Sequence, residues 1–400
     1  MLVESPQKVA LVLHTYMEEN IYILKGIAEY ERLHANWVFF LDDRAVSATD
    51  PQWLLRNDWD GVICRHEEIG LLEECQKRGI PCVDLGSLPP HDPADKTERL
   101  PGIPKLRPSD RTVGHVAAEH LINRGFNNFG FCGFSNDSWA KERRRGFVEA
   151  VEAVGHECTI MESEYPGMAN PEWHAKEVLA IGAWLKSLPK IPCGIMACND
   201  LRGHQVADAT MEFGLTVPDE IAIVGANNEA VRAELTHTPL SSVPVNGYDW
   251  GFRAAECLHS LMVGEPVEEV IYIDPMPVVL RRSTDALAVE DPIIAKALKI
   301  IREEACSAIR VDDLAKRVHA SRSLLEKKFR LLLRKTPSEE IRNVRITKAK
   351  RLLLSTDKPL AEIAYETGFE YPEYLSVMFK RLTGENPRDY RRRHCPEARD

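Results

Sequence analysis

The chain has 400 residues, of which 44% are hydrophobic and 28% are charged, with a formal net charge of −10. This composition predicts a soluble globular protein of two or three domains. It contains no run of roughly 18 uncharged apolar residues, which excludes a membrane-spanning helix. The N-terminal segment lacks the basic region, apolar stretch and cleavage site of a signal peptide, so the predicted location is the cytoplasm.

Known catalytic and cofactor motifs are missing from the chain. No G-x-G-x-x-G follows the first predicted strand, and no P-loop or G-x-S-x-G occurs. The ten cysteines are scattered without a C-x-x-C, and the thirteen histidines form no metal-spaced pair. We therefore predict buried reduced thiols, no metal, no cofactor and no catalytic residue.

The first 280 residues alternate short apolar runs with helical patterns, which predicts parallel sheets covered by helices on both faces. About ten strands are expected, too many for one comfortable sheet, so the fold class is α/β with two doubly wound lobes. Polar residues follow many strands at their C-terminal ends, where open α/β sheets bind ligands. The clearest runs are residues 8–14, 37–43, 61–66, 81–86, 129–134, 194–200 and 221–228.

Two segments without periodicity divide the chain. The Pro-rich residues 86–108 are predicted to form a long surface loop that leads to the second lobe. A short polar segment ending in Pro follows the last strand-like run. The predicted domains are an α/β body at 1–283, a linker at 284–292 and an all-helical domain at 293–400.

The charge is divided unequally between these parts. Residues 291–400 contain 25 Lys and Arg against 17 Asp and Glu, a balance of +8. The preceding 290 residues contain 26 basic and 44 acidic residues, a balance of −18. This asymmetry predicts a basic module that binds a polyanion and an acidic body that does not.

The helical domain contains a weak duplication that predicts two helix-turn-helix motifs. The copies are "VDDLAKRVHASRSLLEKKFRLLL" (311–333) and "LAEIAYETGFEYPEYLSVMFKRL" (360–382). Each has a small residue in its first helix, Ala315 or Ala364, and a turn residue four positions later, His319 or Gly368. A helix at 338–354, about 25 Å long, is expected to hold the copies roughly one DNA turn apart.

The second helix of each motif has an apolar side and an outward side. The predicted buried residues are Leu325, Phe329 and Leu332 in the first motif and Leu375, Met378, Phe379 and Leu382 in the second.

The segment "KAKRLLLSTDKPLAEIAYETGFEYPEYLSVMFKRLTGENPRDYRRR" resembles the AraC/XylS-type DNA-binding domain. The resemblance implies binding to double-stranded operator DNA. It assigns base reading to Arg322, Ser323, Glu326, Lys327, Glu373, Tyr374, Ser376 and Val377. Lys328 and Lys380 would contact phosphates or be plain surface residues, and Arg322 and Lys327 make the first motif the expected anchor.

The body resembles the ligand-binding domain of the LacI/GalR regulators, on the ordered motifs "RGFNNFGFCGF", "WAKERRRGFVEAV", "GIMACNDLRG", "VPDEIAIVGANNE" and "PLSSV". The resemblance implies a periplasmic-binding-protein-like fold that holds a small sugar between two lobes. It assigns a grip on sugar hydroxyls to Arg143 and a contact to Asn199. Asp200 is either a contact or a helix cap, and Asn227 stands where the family has an acid. Trp139 would stack on the sugar or pack in the core. Further candidates at the strand ends of the first lobe are Asn20, Tyr22, Arg65 and His66.

A sugar-sensing body followed by an AraC-type domain resembles the xylose-operon regulators of the XylR type. This resemblance implies a homodimeric activator that responds to D-xylose and contacts RNA polymerase. A different sugar or repression is the main alternative. Two other classes are an α/β enzyme with a DNA-binding tail, as in alkyl-transfer repair proteins, and a solute-capture protein. The absence of a reactive cysteine cluster opposes the first, and the basic tail opposes the second.

Overall fold

The computed structural model describes residues 5–42, 57–65, 69–86, 100, 102–167, 172–285, 291–307, 309–333 and 335–394. The chain divides into two compact units, one of residues 1–121 and 128–285 and one of residues 122–127 and 286–400. Residues 286–290 of the predicted linker lie outside the described part. The predicted domain limits stay a prediction.

Eleven strands in the described part of the first unit form two parallel sheets. They are β1 Gln7–Val12, β2 Trp37–Asp42, β3 Gly61–Cys64, β4 Cys82–Asp84, β5 Lys105–Pro108, β6 Phe129–Phe134, β7 Cys158–Ser163, β8 Cys193–Ala197, β9 Ile221–Ala226, β10 Ser241–Val243 and β11 Val270–Ile273. The first sheet has the order β11-β5-β4-β3-β1-β2, and the second has the order β10-β9-β8-β6-β7. The predicted α/β class with two doubly wound lobes is confirmed.

Both faces of each sheet are buried, which explains the near-continuous apolar strands. In β1, Val9 and Leu11 belong to one core of the first lobe, and Ala10 and Val12 belong to the core on the opposite face. All six residues of β6, which lies between β8 and β7 in the second sheet, are buried. Helices on both faces of each sheet supply the partner side chains. They are α1 Glu18–His34, α2 Ile69–Arg78, α3 Asp110–Ile122, α4 Ser138–Ala153, α5 Trp173–Lys186, α6 Asp200–Glu212, α7 Ala230–Leu235 and α8 Gly247–Met262.

Three strands escaped the sequence analysis. Strand β5 lies inside the segment predicted as a surface loop, and its residues Lys105, Leu106 and Arg107 are buried. Its four residues end in Pro and carry two cations, so the sequence has no strand pattern there. Strands β7 and β10 were also missed, because β7 is half-exposed at a sheet edge and β10 has only three residues.

The chain crosses between the two lobes three times within residues 102–285. It leaves the first sheet after β5, returns after β10 to form α8 and β11, and crosses again to pair Val279 with Ser242. The end of this unit is fastened to the second lobe, since Ser283 donates to the carbonyl of Ile223 over 2.5 Å. These three crossings connect the two lobes.

The described part of the second unit is helical. Its helices are α9 Pro292–Glu304, α10 Val311–Arg317, α11 Arg322–Leu333, α12 Pro337–Ser355, α13 Leu360–Glu366, α14 Pro372–Thr383 and α15 Pro387–His394. They enclose two apolar cores, one for each predicted motif. Helix α12 contributes Ile341 to the first core and Ile346, Ala349 and Leu353 to the second. It therefore connects the motifs as predicted.

Both predicted turn residues have a left-handed backbone conformation, with φ of 55° at His319 and 75° at Gly368. A Cβ at Gly368 would lie 2.7 Å from the carbonyl oxygen of Cys306, so this turn has no room for a side chain. Ser321 caps α11, accepting from the N–H of Leu324. The predicted burial of Leu332 and Leu382 is wrong, because both lie in the last turn of a helix and are 47% and 45% exposed.

Within the described residues, no helix is long and apolar enough to cross a membrane. The nine described cysteines are free thiols, and seven of them are buried. Cys395 lies outside the described part.

Candidate functional site

Arg143 is the centre of a polar cluster at the C-terminal edge of the second sheet. Its Nε donates to Asp110 over 2.8 Å, and its Nη1 donates to the carbonyl of Cys198 over 2.8 Å and to the side chain of Asn227 over 3.0 Å. The guanidinium also lies 4.9 Å from the ring centre of Trp139. Three predicted sugar residues, Arg143, Asn227 and Trp139, are thus brought together.

The close approach of α3 and α4 creates the ion pair of this cluster. A Cβ at Gly114 would lie 2.1 Å from the carbonyl of Arg143, and one at Gly146 would lie 1.9 Å from the carbonyl of Arg111. The two backbones can touch only because both positions are glycine. The contact places Asp110, at the start of α3, beside the guanidinium of Arg143.

Asp110 was not predicted, although it completes the site. Burial raises the pKa of its carboxyl to about 6, and the opposing charge of Arg143 prevents a larger rise. Its position at the start of a helix, directly after a strand of the first sheet, was the available signal. The prediction missed it because β5 was not recognised as a strand.

Asn227 belongs to a short strained loop after β9. Asn227 and Asn228 both have positive φ, 90° and 56°. The N–H of Asn227 donates to the carbonyl of Val243, and the N–H of Asn228 donates to the hydroxyl of Ser242. This backbone anchoring aims the side-chain oxygen of Asn227 at Arg143.

Asn199 and Asp200 have distinct positions. Asn199 is the N-cap of α6, since its side-chain oxygen accepts from the N–H of Arg202 over 2.9 Å. The alternative of Asp200 as the cap is therefore wrong. Asp200 is fully buried and accepts from the hydroxyl of Ser242 over 2.6 Å and from the N–H of Glu229 over 2.7 Å. Asp200 therefore anchors the loop that contains Asn227 through these two hydrogen bonds.

An aromatic wall stands beside Arg143. The ring of Trp139 meets Phe134 edge-on at 6.1 Å, and Phe134 in turn contacts Tyr165 at 5.0 Å and Trp173 at 6.1 Å. Trp139 is half-buried, so it packs on the core and also presents surface. The two interpretations made from the sequence therefore both describe this side chain in part.

A fully buried cation, which the sequence analysis also missed, supports this wall. Arg202 donates to Glu177 over 2.6 Å and to Ser163 over 2.5 Å, and its guanidinium lies 4.4 Å from the ring centre of Phe134. A buried ion pair of this kind contributes little net stability but fixes geometry. The signal was its place in the "NDLRG" segment, in the first turn of the helix after β8.

The first lobe contributes a second polar cluster at its own strand ends. Arg65 donates to the side-chain oxygen of Asn20 and, over 2.8 Å, to Glu19. Asn20 is buried and donates to the carbonyl of His14. The guanidinium of Arg65 lies 4.6 Å from the ring centre of Trp250. The predicted residues Asn20 and Arg65 are thus joined, with Glu19 as an unpredicted partner.

The other two candidates of the first lobe are not part of this cluster. Tyr22 is 46% exposed on α1, with the ammonium of Lys25 5.5 Å from its ring centre. The structure does not bring Tyr22 to Arg65. His66 lies outside the described residues.

The outward face of α11 contains three of the four predicted base-reading side chains as exposed groups, Arg322, Ser323 and Lys327. Arg322 donates from Nε to Glu326 over 2.9 Å and from Nη1 to Asp312 over 3.2 Å. Glu326 is half-exposed. Lys328 differs from its prediction, because its ammonium is bound by Asp291, the N-cap of α9.

The outward face of α14 carries apolar side chains, one acid and one cation. Glu373, Tyr374, Val377 and Lys380 are exposed. Val377 is 63% exposed, and Tyr374 meets Phe369 edge-on at 5.9 Å. The hydroxyl of Ser376 donates to the carbonyl of Pro372 over 3.0 Å. Ser376 therefore presents less polar surface than the sequence suggested.

Among the described residues, no group of three or more His, Cys, Asp or Glu side chains could hold a metal ion.

Residues 118–284 match the family model of a periplasmic binding protein-like domain, and residues 314–393 match that of a helix-turn-helix domain.

Relatives with the same architecture extend over nearly the whole chain. The xylose operon regulatory protein of Haemophilus influenzae is 29% identical over 395 residues, covering 98% of this chain and 99% of that protein. The one of Escherichia coli K12 is 28% identical and covers 96% of each. The chain is a homologue of the xylose operon regulators. It is a transcription regulator whose helix-turn-helix domain follows its sensor domain.

Solved structures agree with the XylR-type assignment. A structure of the xylose-binding transcription activator XylR has a TM-score of 0.60 and 26% identity, covering 97% of this chain and 98% of that one. A complex of the regulator CelR with cellobiose has a TM-score of 0.52 at 21% identity and covers 70% of this chain. The second likeness shows the fold of the body alone, so the helical domain distinguishes the XylR type.

Proposed function

We propose that this regulator binds D-xylose between the lobes of its first unit and activates transcription from an operator bound by its helical unit. The observation that carries the sugar proposal is the position of Arg143, buried at the strand edge and surrounded by Asp110, Asn227 and Trp139. A guanidinium offers fixed donors to neighbouring hydroxyls. An indole offers an apolar face to a pyranose ring.

The charges near both clusters favour a neutral ligand. Arg143 is paired with Asp110, and Arg65 is paired with Glu19. Neither cation has an unbalanced charge to attract a phosphate or a carboxylate. We therefore expect a sugar rather than a sugar phosphate as the effector.

The decisive test is calorimetry with xylose, other pentoses, hexoses and their phosphates. We expect xylose to bind the native protein and Arg143→Ala to bind it at least about 30-fold more weakly, as for the loss of charged hydrogen bonds. Arg145→Ala is the matched control, since Arg145 is exposed on the same helix and pairs with Glu142 and Glu149 of that helix. Undiminished binding by Arg143→Ala would remove the proposed pocket.

A different sugar is the second candidate, favoured by Asn227. An amide at this position donates as well as accepts, whereas the acid of the resembling family only accepts. We therefore expect such a site to prefer a sugar whose hydroxyl accepts a hydrogen bond at this position. The same panel decides between the sugars, because the tightest ligand identifies the effector.

The DNA proposal rests on the two motifs and the local charge of +8 in residues 291–400. It includes a homodimer, contact with RNA polymerase and a cytoplasmic location, where the operator is reached. Fluorescence anisotropy with operator DNA should show affinity falling at least tenfold between about 50 and 200 mM salt, because bound counterions are released. Affinity that is independent of salt would contradict DNA binding through phosphates.

A further inference from the structure

Four consecutive backbone N–H groups, those of residues 227–230, each have a defined acceptor. Asn227 donates to the carbonyl of Val243, Asn228 to Ser242 and Glu229 to Asp200. These three acceptors belong to the second lobe, like the loop itself. The fourth donor, the N–H of Ala230, donates over 2.8 Å to the carboxylate of Glu18.

Glu18 belongs to the first lobe, in the first turn of α1. Its neighbours Glu19 and Asn20 both bind Arg65 and so belong to the polar cluster of that lobe. The first turn of α1 therefore contacts both lobes. The side chains of Glu19 and Asn20 bind Arg65 in their own lobe, and Glu18 binds the loop that carries Asn227 in the other lobe.

We propose that Glu18 is a positioning residue that couples closure of the lobes to the effector loop. This inference rests on the proposed function, in which a sugar binds between the lobes. The bond from Ala230 to Glu18 joins the two lobes, so an opening that separates these groups would break it. It holds the end of the loop whose Asn227 side chain accepts from Arg143.

The consequence is kinetic. A contact made only in the closed state slows the escape of the ligand and does not affect its entry into the open state. A carboxylate accepting a backbone N–H forms a charge-assisted bond. Its loss should raise the dissociation rate of the sugar about tenfold and leave the association rate within twofold.

The test compares Glu18→Ala, Glu18→Gln and the native protein by stopped-flow fluorescence with xylose. Glu18→Gln retains an oxygen acceptor without the charge and should fall between the other two. The bond from Ala230 to Glu18 is called the latch. The matched control is Glu229→Ala, because Glu229 directly precedes Ala230 and its side chain binds Arg232 of its own lobe. A purely structural role of Glu18 would change both rate constants, and that result would contradict the proposal.

Hydrogen–deuterium exchange of the segment 226–235 without sugar separates the two hypotheses. We expect faster exchange in Glu18→Ala than in the native protein. If the native protein binds no sugar of the panel but exchange still rises, the latch stands and the proposed function fails. If sugar binds the native protein and Glu18→Ala alike, with unchanged exchange, the latch is wrong.

Discussion

Arg143 and Asp110 form a buried ion pair in which 2.8 Å separate the guanidinium Nε from the carboxylate Oδ1. Asp110 holds the guanidinium of Arg143 in the orientation in which its Nη1 donates to Asn227 and to the carbonyl of Cys198. A group that orients the proposed sugar-binding residue should itself control affinity. This relationship gives the first prediction.

The affinity for the sugar should fall as the pH drops below about 6. Burial raises the pKa of Asp110 to about 6, and once protonated it no longer accepts the charged hydrogen bond of Arg143. Calorimetry between pH 5 and 8 should therefore show an inflection near pH 6 in the native protein. Asp110→Asn should bind weakly at every pH without that inflection. Glu119→Gln, a change of an exposed acid on the same helix α3, should follow the native curve.

The free energy of unfolding of the first unit should decrease from about pH 5 to pH 7.5, partly because of Asp200. Burial raises the pKa of this carboxyl to about 7, from an unfolded value of about 3.9. The folded protein thus holds a proton in this range that the unfolded chain releases. The resulting stability is complete below about pH 4 and is lost as the pH rises through 7.

Thermal melting of Asp200→Asn checks this sign. The variant should be less stable overall, because one amide oxygen replaces two carboxylate acceptors for Ser242 and Glu229. Between pH 5 and pH 7, the free energy of unfolding of the variant should fall by about 2 kcal/mol less than that of the native protein. The exposed Asp219→Asn should retain the native slope. A native slope in Asp200→Asn would show that this carboxyl does not titrate in the range.

The sequence predicted the sheet class, both turns and Arg143, but it could not supply the partners of Arg143. The strands and the helical stripes are local patterns, and His319 was found because its motif repeats one with Gly368. Asp110 meets Arg143 only through the touching backbones at Gly114 and Gly146. The place of Asp110 after β5 marked a strand end, but its tertiary contact with Arg143 has no local signal. For the same reason periodicity placed Leu332 and Leu382 in the core, although the core ends one turn earlier.

Substitution of the turn residue should destabilise the second helix-turn-helix motif much more than the first. Gly368→Ala places a Cβ 2.7 Å from the carbonyl of Cys306 at a φ of 75°, so it should destabilise the helical unit by at least about 2 kcal/mol. His319→Gly relieves a left-handed residue and should change stability by less than about 1 kcal/mol. Chemical unfolding of the full chain followed by helical circular dichroism gives both values. Equal losses in the two variants would mean that the turns do not differ in this way.

Arg322 should be the strongest base-reading residue, and its two acidic partners should limit it. Its guanidinium is bound by Glu326 and Asp312, yet it is still 56% exposed. Exposed ion pairs of this kind are weak because water screens them, so DNA can displace them. Arg322→Ala should weaken operator binding by about 1–3 kcal/mol and relax discrimination at one guanine.

Asp312→Asn supplies the sharper comparison, because it removes one competitor of DNA and one negative charge near the phosphates. We expect it to tighten binding to operator and unrelated DNA alike, by several-fold at about 50 mM salt and less at 200 mM. Asp313→Asn, a neighbouring acid in the same first turn of α10, is the matched control for charge alone. If both variants tighten binding equally, the effect belongs to the electrostatic field of the domain. A larger effect of Asp312→Asn would show that release of Arg322 is part of DNA recognition.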